Sequence, residues 1–351
     1  MPAGPIDRAG TRAVSASGKG GVSSISDIAR LAGVSASTVS RALAGSKMIS
    51  LETRSRINDL AREHGFQLNQ MARNLRLKRT NAIGIVFPLG HEVAQLVSDP
   101  FFTTMLGHIA DGVTARGYDL VLTRVIPDDG GWLDRLVSSG RVDGVIVIGQ
   151  SDQEAVLRRV SGGYDPIVVW GERADGQDYC SVGTDNVAGG AIAARHLLDA
   201  GRRRILYAGH DDVPEISARH AGFVAAHREA GIEPAGAIPA PFTPDRAYQL
   251  FADHLAAGPK LDGIVAASDV IAIAAIRALT EKGLRVPEDV AVIGYDDVPL
   301  AAQMSPSLTT IRQDLREGAR QLVDRLFRRL GGERCGPIVM KPELVVRASA
   351  P

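Results

Sequence analysis

The sequence predicts an α/β protein: a small all-α head at the N-terminal end, followed by a larger body of two doubly wound parallel sheets with a cleft between them. Three observations carry this. Residues 24–68 hold three short amphipathic helix patterns, whereas from Ile83 onward continuous Val/Ile runs alternate with helix-length amphipathic stretches. Charge divides at the same place: residues 1–80 carry 13 Lys and Arg against 5 Asp and Glu, a net +8, and the other 271 carry 27 against 35, a net −8. Finally, the body offers more strand candidates than one sheet of this type comfortably holds.

Composition narrows the class further. With 351 residues, 45% hydrophobic and 23% charged, the chain can bury several cores, which excludes a peptide hormone, a disulfide scaffold and a coiled coil. No stretch approaches the roughly 18 apolar residues of a membrane span, and residues 1–24 lack the apolar core of a secretory signal, so a cytoplasmic location is expected. Cys180 and Cys335 show no metal-ligand spacing and are expected to be free thiols. A basic module on an acidic body points to a polyanion as partner of the head, although a basic arm can also be merely solvated.

Residues 1–23 are rich in Gly, Ala, Ser and Pro without hydrophobic period, the texture of a disordered tail. SGKGGVSS imitates a phosphate-binding loop, but no strand precedes it and Ser23, Ser24 and Ile25 stand where Gly-Lys-Ser/Thr is needed. In the head, Ser26 can cap a first helix with Asp27 at its positive end, and Gly33 stops it. After the turn Gly33-Val34-Ser35, Ser35 caps a second helix over Ala36–Leu43; Val39 and Leu43 face inward, leaving Ala36, Ser37, Ser40 and Arg41 outside. Helix, glycine-containing turn, helix is a helix-turn-helix pattern. Ser50 caps a third helix, Leu51–His64, whose Ile57, Leu60 and Ala61 complete the small core.

In the body, strands are expected at Ile83–Pro88, Tyr118–Val125, Val142–Ile148, Pro166–Trp170, Arg204–Ala208, Gly263–Ala267 and Val290–Tyr295. Helices are expected at about 102–116, 187–200, 218–230, 245–257, 269–282 and 314–330. Sheets of this kind bind ligands at the carboxyl ends of their strands.

The stretch SISDIARLAGVSASTVSRAL resembles the LacI/GalR transcription regulators, of lactose- and galactose-repressor type. So do Thr53-Arg54, NQMARNLR (Asn69–Arg76), IGIVFP, TDNVAGG followed by HLLDAGRRRI, SARHAGF, Ala267–Asp269, GLRVPEDVAVIGYDD and SLTTIRQD. These phrases run in consistent order over about 325 residues. The long tail depart from the family pattern, as does Ala44, where many members carry Asn. The resemblance implies a helix-turn-helix domain at 24–68 and a hinge helix and linker at 69–80. It also implies a clamshell like a periplasmic sugar-binding protein, with one subdomain of 81–183 and 313–331 and the other of 184–312 and 332–348.

What the resemblance implies for DNA falls on the head and hinge. The second helix lies in the major groove, where Ala36, Ser37 and Arg41 read bases; an Arg can contact guanine O6 and N7 together. The alternative for Arg41 is a surface ion pair. Ser26, Ser35, Thr38, Ser40, Thr53, Arg54 and Asn69 supply phosphate contacts or pack the helices. Residues 70–76 are too short for a stable isolated helix and would fold when two copies pair on DNA. Leu75 then wedges into the minor groove with Arg73 and Arg76 beside it. Alternatively Leu75 is an incidental linker residue.

For the cleft, the resemblance implies Phe101 or Phe102, Arg219, Phe242, Ser268 or Asp269, and Asp296, with Glu172 and Arg173 as weaker candidates. This chemistry suits a sugar-like polyol: carboxylates accept from hydroxyls, Arg donates, and an aromatic face packs on C–H groups. Asp269 can instead cap the helix that follows. The expected function is a homodimeric repressor that binds a pseudo-palindromic operator in double-stranded DNA under control of a small-molecule effector, a sugar. No metal or cofactor is expected. Two rivals share the body: an enzyme, though GxSxG, HExxH and Walker motifs are absent from the sequence, and a periplasmic-type sugar-binding protein without a DNA role.

Overall fold

The computed structural model describes residues 24–66, 79–173, 176–177, 179–258 and 260–351. The chain divides into two compact units, Met1–Lys78 and Arg79–Pro351.

In the first unit, α1 (Ile25–Ala32), α2 (Ala36–Leu43) and α3 (Leu51–Glu63) surround one small core. Ile28, Val39 and Ile57 are fully buried at its centre, with Ala29, Ala32, Ala42 and Ala61 beside them and Leu43 and Leu60 half-buried at the rim. The cap of α1 is Ser24 and not Ser26. Asp27 reaches back to the Ser24 amide at 3.1 Å while the Ser24 hydroxyl accepts from the Asp27 amide at 3.2 Å, a reciprocal box that leaves Ser26 exposed inside the first turn. Gly33 ends α1 at φ 66°, a left-handed conformation that glycine adopts without strain. Ser35 and Ser50 cap α2 and α3 by accepting from the amides of Thr38 and Thr53, each at 3.2 Å. The residues expected to form the hinge contacts, Asn69, Arg73, Leu75 and Arg76, lie outside the described residues, as does the tail.

The second unit contains two six-stranded sheets. Its first lobe is built from β1 (Ala82–Pro88), α4 (Pro100–Thr114), β2 (Asp119–Val125), α5 (Trp132–Ser138), β3 (Gly144–Ile148), α6 (Glu154–Ser161), β4 (Ile167–Trp170) and β5 (Cys180–Thr184). The second lobe follows with α7 (Asn186–Asp199), β6 (Ile205–Ala208), α8 (Pro214–Ala230), β7 (Gly236–Ile238), α9 (Pro244–Ala256), β8 (Gly263–Ala266), α10 (Asp269–Glu281), β9 (Ala291–Asp296), α11 (Pro299–Gln303) and β10 (Thr309–Arg312). The chain then returns through α12 (Leu315–Leu330), β11 (Ile338–Met340) and β12 (Glu343–Val345). Every residue of β1 and β3 is buried, as a parallel sheet covered on both faces requires. Strand order is β11-β5-β4-β3-β1-β2 in one sheet and β12-β10-β9-β8-β6-β7 in the other, so the order reverses at β1/β3 and again at β6/β8.

Two expectations change. The segment 332–348 does not belong to the second lobe alone: β11 runs parallel to β5 in the first sheet, and β12 runs antiparallel to β10 in the second. The alternative is an unpaired sheet edge on each lobe, and one short chain return covers both. The strands β5, β7 and β10 also escaped the sequence reading, because CSVGT, GAI and TTIR lack a Val/Ile run of recognisable length.

The tightest packing in the second lobe is between α7 and α8. A Cβ on Gly190 would overlap the carbonyl oxygen of Arg219, and one on Gly222 would overlap that of Val187. The two helices therefore touch backbone to backbone, which fixes the first turns of α8 against the start of α7. Gly222→Ala is expected to force them apart and to lower stability by about 1–3 kcal/mol or more, the usual range for overpacking a filled core. Thermal unfolding of the variant beside the parent protein measures this, and an unchanged midpoint would contradict the contact.

Candidate DNA-reading head and effector cleft

In the head, the start of α2 is presented to solvent. Ala36 and Ser37 are exposed, and the Ser35 hydroxyl lies 2.8 Å from that of Ser37 and 2.9 Å from that of Thr38. Arg41 is exposed and its side chain makes no hydrogen bond or ion pair with a described residue. Arg54 is committed elsewhere: it donates to the Gly45 carbonyl at 3.0 Å and so ties the end of α2 to α3. The Thr53 hydroxyl accepts from Ser50 at 2.9 Å, and Ser40 is half-buried.

The cleft of the second unit lies at the carboxyl ends of both sheets, where their strand orders reverse. From the first lobe come Pro88 at the end of β1, Ile148 at the end of β3, Trp170 at the end of β4, and Phe101 and Phe102 at the start of α4. The second lobe contributes Val213, Glu215 and Ile216 after β6, Ser268 after β8, and Asp296 at the end of β9. The space between them is about 600 Å³ including its open mouth. Phe101, Phe102 and Trp170 form an aromatic wall, with ring centroids 5.6 Å apart for the first pair and 6.3 Å for Phe101 and Trp170.

Of the expected cleft residues, the structure brings Phe101, Phe102, Arg219, Phe242, Ser268 and Asp296 to this lining. Glu172, Arg173 and Asp269 are not among the described lining residues. Arg173 is exposed, while Glu172 accepts from Asn186 Nδ2 at 2.5 Å just behind the cleft. Asp269 does not cap α10 and does not line the cleft. Ser268 is the cap, and the fully buried Asp269 carboxylate accepts from the Val298 amide at 2.8 Å and the Thr310 hydroxyl at 2.6 Å. Sequence reading missed His91, Gln95, Asp99 and Glu215, since each lies in a loop or helix start where no periodicity marks it, and Gln313, which stands inside the phrase SLTTIRQD but was given no role.

Arg219 is a buried clamp. Nε donates to Asn186 Oδ1 at 2.8 Å, Nη1 donates to the Ala267 carbonyl at 2.6 Å, and the guanidinium lies 3.7 Å above the Tyr295 ring. No ion pair joins it to Asp296; that carboxylate instead accepts from Gln313 Nε2 at 2.7 Å. Asp296 stands at φ 113° and Asp297 at φ 56°, and this unfavourable turn is held by two cations. Arg312 and Arg347 donate to the Asp297 carboxylate at 2.7 and 2.6 Å. Across the mouth, Glu92 of the first lobe accepts from the amides of Phe242 at 2.7 Å and Thr243 at 3.1 Å and from the Thr243 hydroxyl, at the start of α9.

Burial sets the protonation of this site. It raises the carboxyls of Asp99 and Glu215, pushes Asp296 up to about 7, and lowers the His91 imidazole. The described residues hold no cluster of His, Cys, Asp and Glu able to bind a metal, and no described helix is long and apolar enough to cross a membrane.

A helix-turn-helix head in one chain with a two-lobed, ligand-accepting α/β body defines a DNA-binding transcription regulator under small-molecule control. Comparison with known proteins identifies which. Residues 24–69 match the family model of bacterial regulatory proteins, lacI family, and residues 194–350 match a periplasmic binding protein-like domain. The chain is 32% identical to the HTH-type transcriptional regulator CelR of Thermobifida fusca, over 92% of this chain and 96% of CelR. It is 29% identical to the HTH-type transcriptional repressor PurR of Pasteurella multocida, over 93% of this chain and 98% of PurR. Among solved structures, the lac repressor dimer bound to operator and the anti-inducer ONPF aligns with a TM-score of 0.82 and 26% identity, over 93% of this chain and 98% of that one. A CelR–cellobiose complex aligns at 0.66 and 29%, over 93% and 99%. The chain belongs to the lacI family of bacterial regulatory proteins; it is a transcription regulator and not an enzyme.

Because Asp296 has a raised folded-state pKa, its contribution to stability is fully present below the unfolded value near 3.8 and is lost as pH rises through about 7. Asp296→Asn removes this loss. The melting temperature of the variant is expected to gain on that of the parent between about pH 4 and pH 7 and to hold a constant lead above. A difference independent of pH over that window would show that Asp296 is not forced to ionise in a buried site.

Proposed function

We propose that this chain is a cytoplasmic homodimeric repressor that binds a pseudo-palindromic operator and releases or gains it as a sugar occupies the cleft. The observation that carries the sugar reading is the lining itself: an aromatic wall faces carboxylates and amides, the composition that packs sugar C–H faces and accepts from hydroxyls. CelR, the relative whose complex with cellobiose has been solved, supports the same class. The lac repressor dimer on its operator supports the assembly.

On the DNA side, Ala36, Ser37 and Arg41 read the major groove, and Ser35, Thr38 and Thr53 stand near phosphates. Arg41 is free for bidentate contact because no described carboxylate claims it. Arg54 is better placed to hold the turn after α2 than to reach a phosphate. Residues 70–76 of the hinge fold on paired half-sites, with Leu75 as the minor-groove wedge flanked by Arg73 and Arg76.

Operator affinity of the full chain should fall steeply with salt, because the +8 N-terminal segment displaces counterions from several phosphates. Arg41→Ala should cost roughly 1–3 kcal/mol and relax specificity at one base pair in each half-site. Fluorescence anisotropy on an operator selected from random DNA and on its single-base variants measures both. Equal losses across all variants would make Arg41 a phosphate contact, and a salt-independent affinity would remove the DNA role from the head. Leu75→Ala should weaken operator binding far more than binding to random DNA, since a wedge matters only where the duplex is bent. Similar losses on the two DNAs would end the wedge assignment.

A further inference from the structure

Three helices start at the cleft: α4 after Asp99, α8 after Val213 and α10 after Ser268. A helix start is a ready anion site, because its first amides point outward and carry the positive end of the dipole. Here each start already holds a carboxylate belonging to the chain. Asp99 caps α4 by accepting from the Phe101 amide at 2.9 Å; Glu215 occupies the first turn of α8; Asp269 occupies the first turn of α10 behind Ser268. At α4 and α10 a first-turn amide is already taken, by the Asp99 carboxyl and by the Ser268 hydroxyl, which accepts from the Ile271 amide at 3.3 Å, and at α8 an arriving anion would lie beside the Glu215 side chain.

The rest of the lining adds to this. Asp99, Glu215 and Asp296 all reach the cleft, and Arg219 is its one cationic lining residue among those described. Arg219 is engaged by Asn186, Ala267 and Tyr295, and burial keeps His91 toward its uncharged form. Glu215 is 7% exposed; its Oε1 accepts one long bond of 3.4 Å from the Gln150 amide, and its Oε2 is buried without a hydrogen-bond partner among the described residues. A buried acceptor left unpaired is costly, and a hydroxyl or N–H from the ligand relieves it.

We infer that the cleft selects an uncharged, donor-rich polyol and rejects its phosphorylated and acidic derivatives, with Glu215 as a specificity-determining residue. This rests on the sugar reading above and adds which sugars are admitted. An anionic group would have to be buried beside Asp99, Glu215 and Asp296, acids whose burial already opposes negative charge, in a cleft walled by Phe101, Phe102 and Trp170 where a further charge is weakly screened. A neutral sugar brings hydroxyl donors to the same oxygens.

The test uses the full-length protein and calorimetry at pH 7.5 with matched series: glucose, galactose, ribose, xylose and cellobiose, against glucose 6-phosphate, galactose 6-phosphate, ribose 5-phosphate, glucuronate and galacturonate. The neutral sugar that binds is expected to do so at least tenfold more tightly than its anionic counterparts. An anionic member binding as well as or better than its neutral parent would overturn the inference while leaving the sugar reading intact. Silence from both series would overturn the sugar reading and this inference with it. Glu215→Gln, which keeps the shape and removes the charge, is expected to narrow the neutral-over-anionic preference several-fold without lowering the ligand-free melting temperature. A lowered melting temperature with an unchanged preference would make Glu215 a structural residue and overturn its assignment.

Discussion

The second unit is organised around the buried guanidinium of Arg219. A cation at 6% exposure is costly unless its donors and its face are occupied, and the fold meets this demand from three directions. Asn186 stands where the chain crosses from β5 into α7, Ala267 follows β8, and Tyr295 lies on β9. The glycines of the α7–α8 crossing follow from the same demand. Gly190 lets α7 approach the Arg219 backbone, and Gly189 leaves room for the Tyr295 ring, which its Cβ would overlap. A residue that reads as a ligand contact in the sequence is therefore also the keystone of its lobe. Its removal disturbs the wall of the cleft as well as any contact with an effector.

The clamp extends into the first lobe through Asn186. Its Oδ1 accepts from Arg219 and its Nδ2 donates to Glu172, so one amide at the crossover couples a cation of the second lobe to a carboxylate of the first. At the opposite rim, Glu92 grips the start of α9. One contact lies at the pivot and one at the mouth. The carboxylate at the mouth sits on the positive end of a helix, where opposite charge is favoured by both dipole and hydrogen bonds.

Most of the fold was legible because it is written in periodicity. IGIVFP, VDGVIVI and VAVIGY can hardly be anything but buried parallel strands, and Gly33, Ser35 and Ser50 mark helix ends by chemistry that acts within three or four residues. The cleft was legible only in part. Arg219, Ser268 and Asp296 stand inside recognisable phrases, whereas Glu92, Asp99 and Glu215 owe their roles to partners 65 or more residues away or to burial. Glu92 is separated from Thr243 by 151 residues, and no local pattern encodes such a meeting. The exchange of Ser24 for Ser26 as helix cap has the opposite origin. Both serines satisfy the composition rule, and only the reciprocal reach of Asp27 decides between them.

Control of DNA binding by an effector carries an energetic requirement. Reversing a 99:1 preference requires a differential of about 5.5 kcal/mol between the two states. Hydrogen bonds to a charged group contribute about 1.5–3 kcal/mol each, so the bonds between Glu92 and the start of α9 are of the right order together. The lone bond from the Gln150 amide to Glu215, at 3.4 Å, adds little. His91, next to Glu92, packs edge-on against Phe242, and both rings line the cleft. The other end of the path is the point where the chain enters the first lobe. There Asp143 accepts from the amides of Thr80 at 2.6 Å and Asn81 at 2.9 Å, so residues 80–81 move with the start of β3.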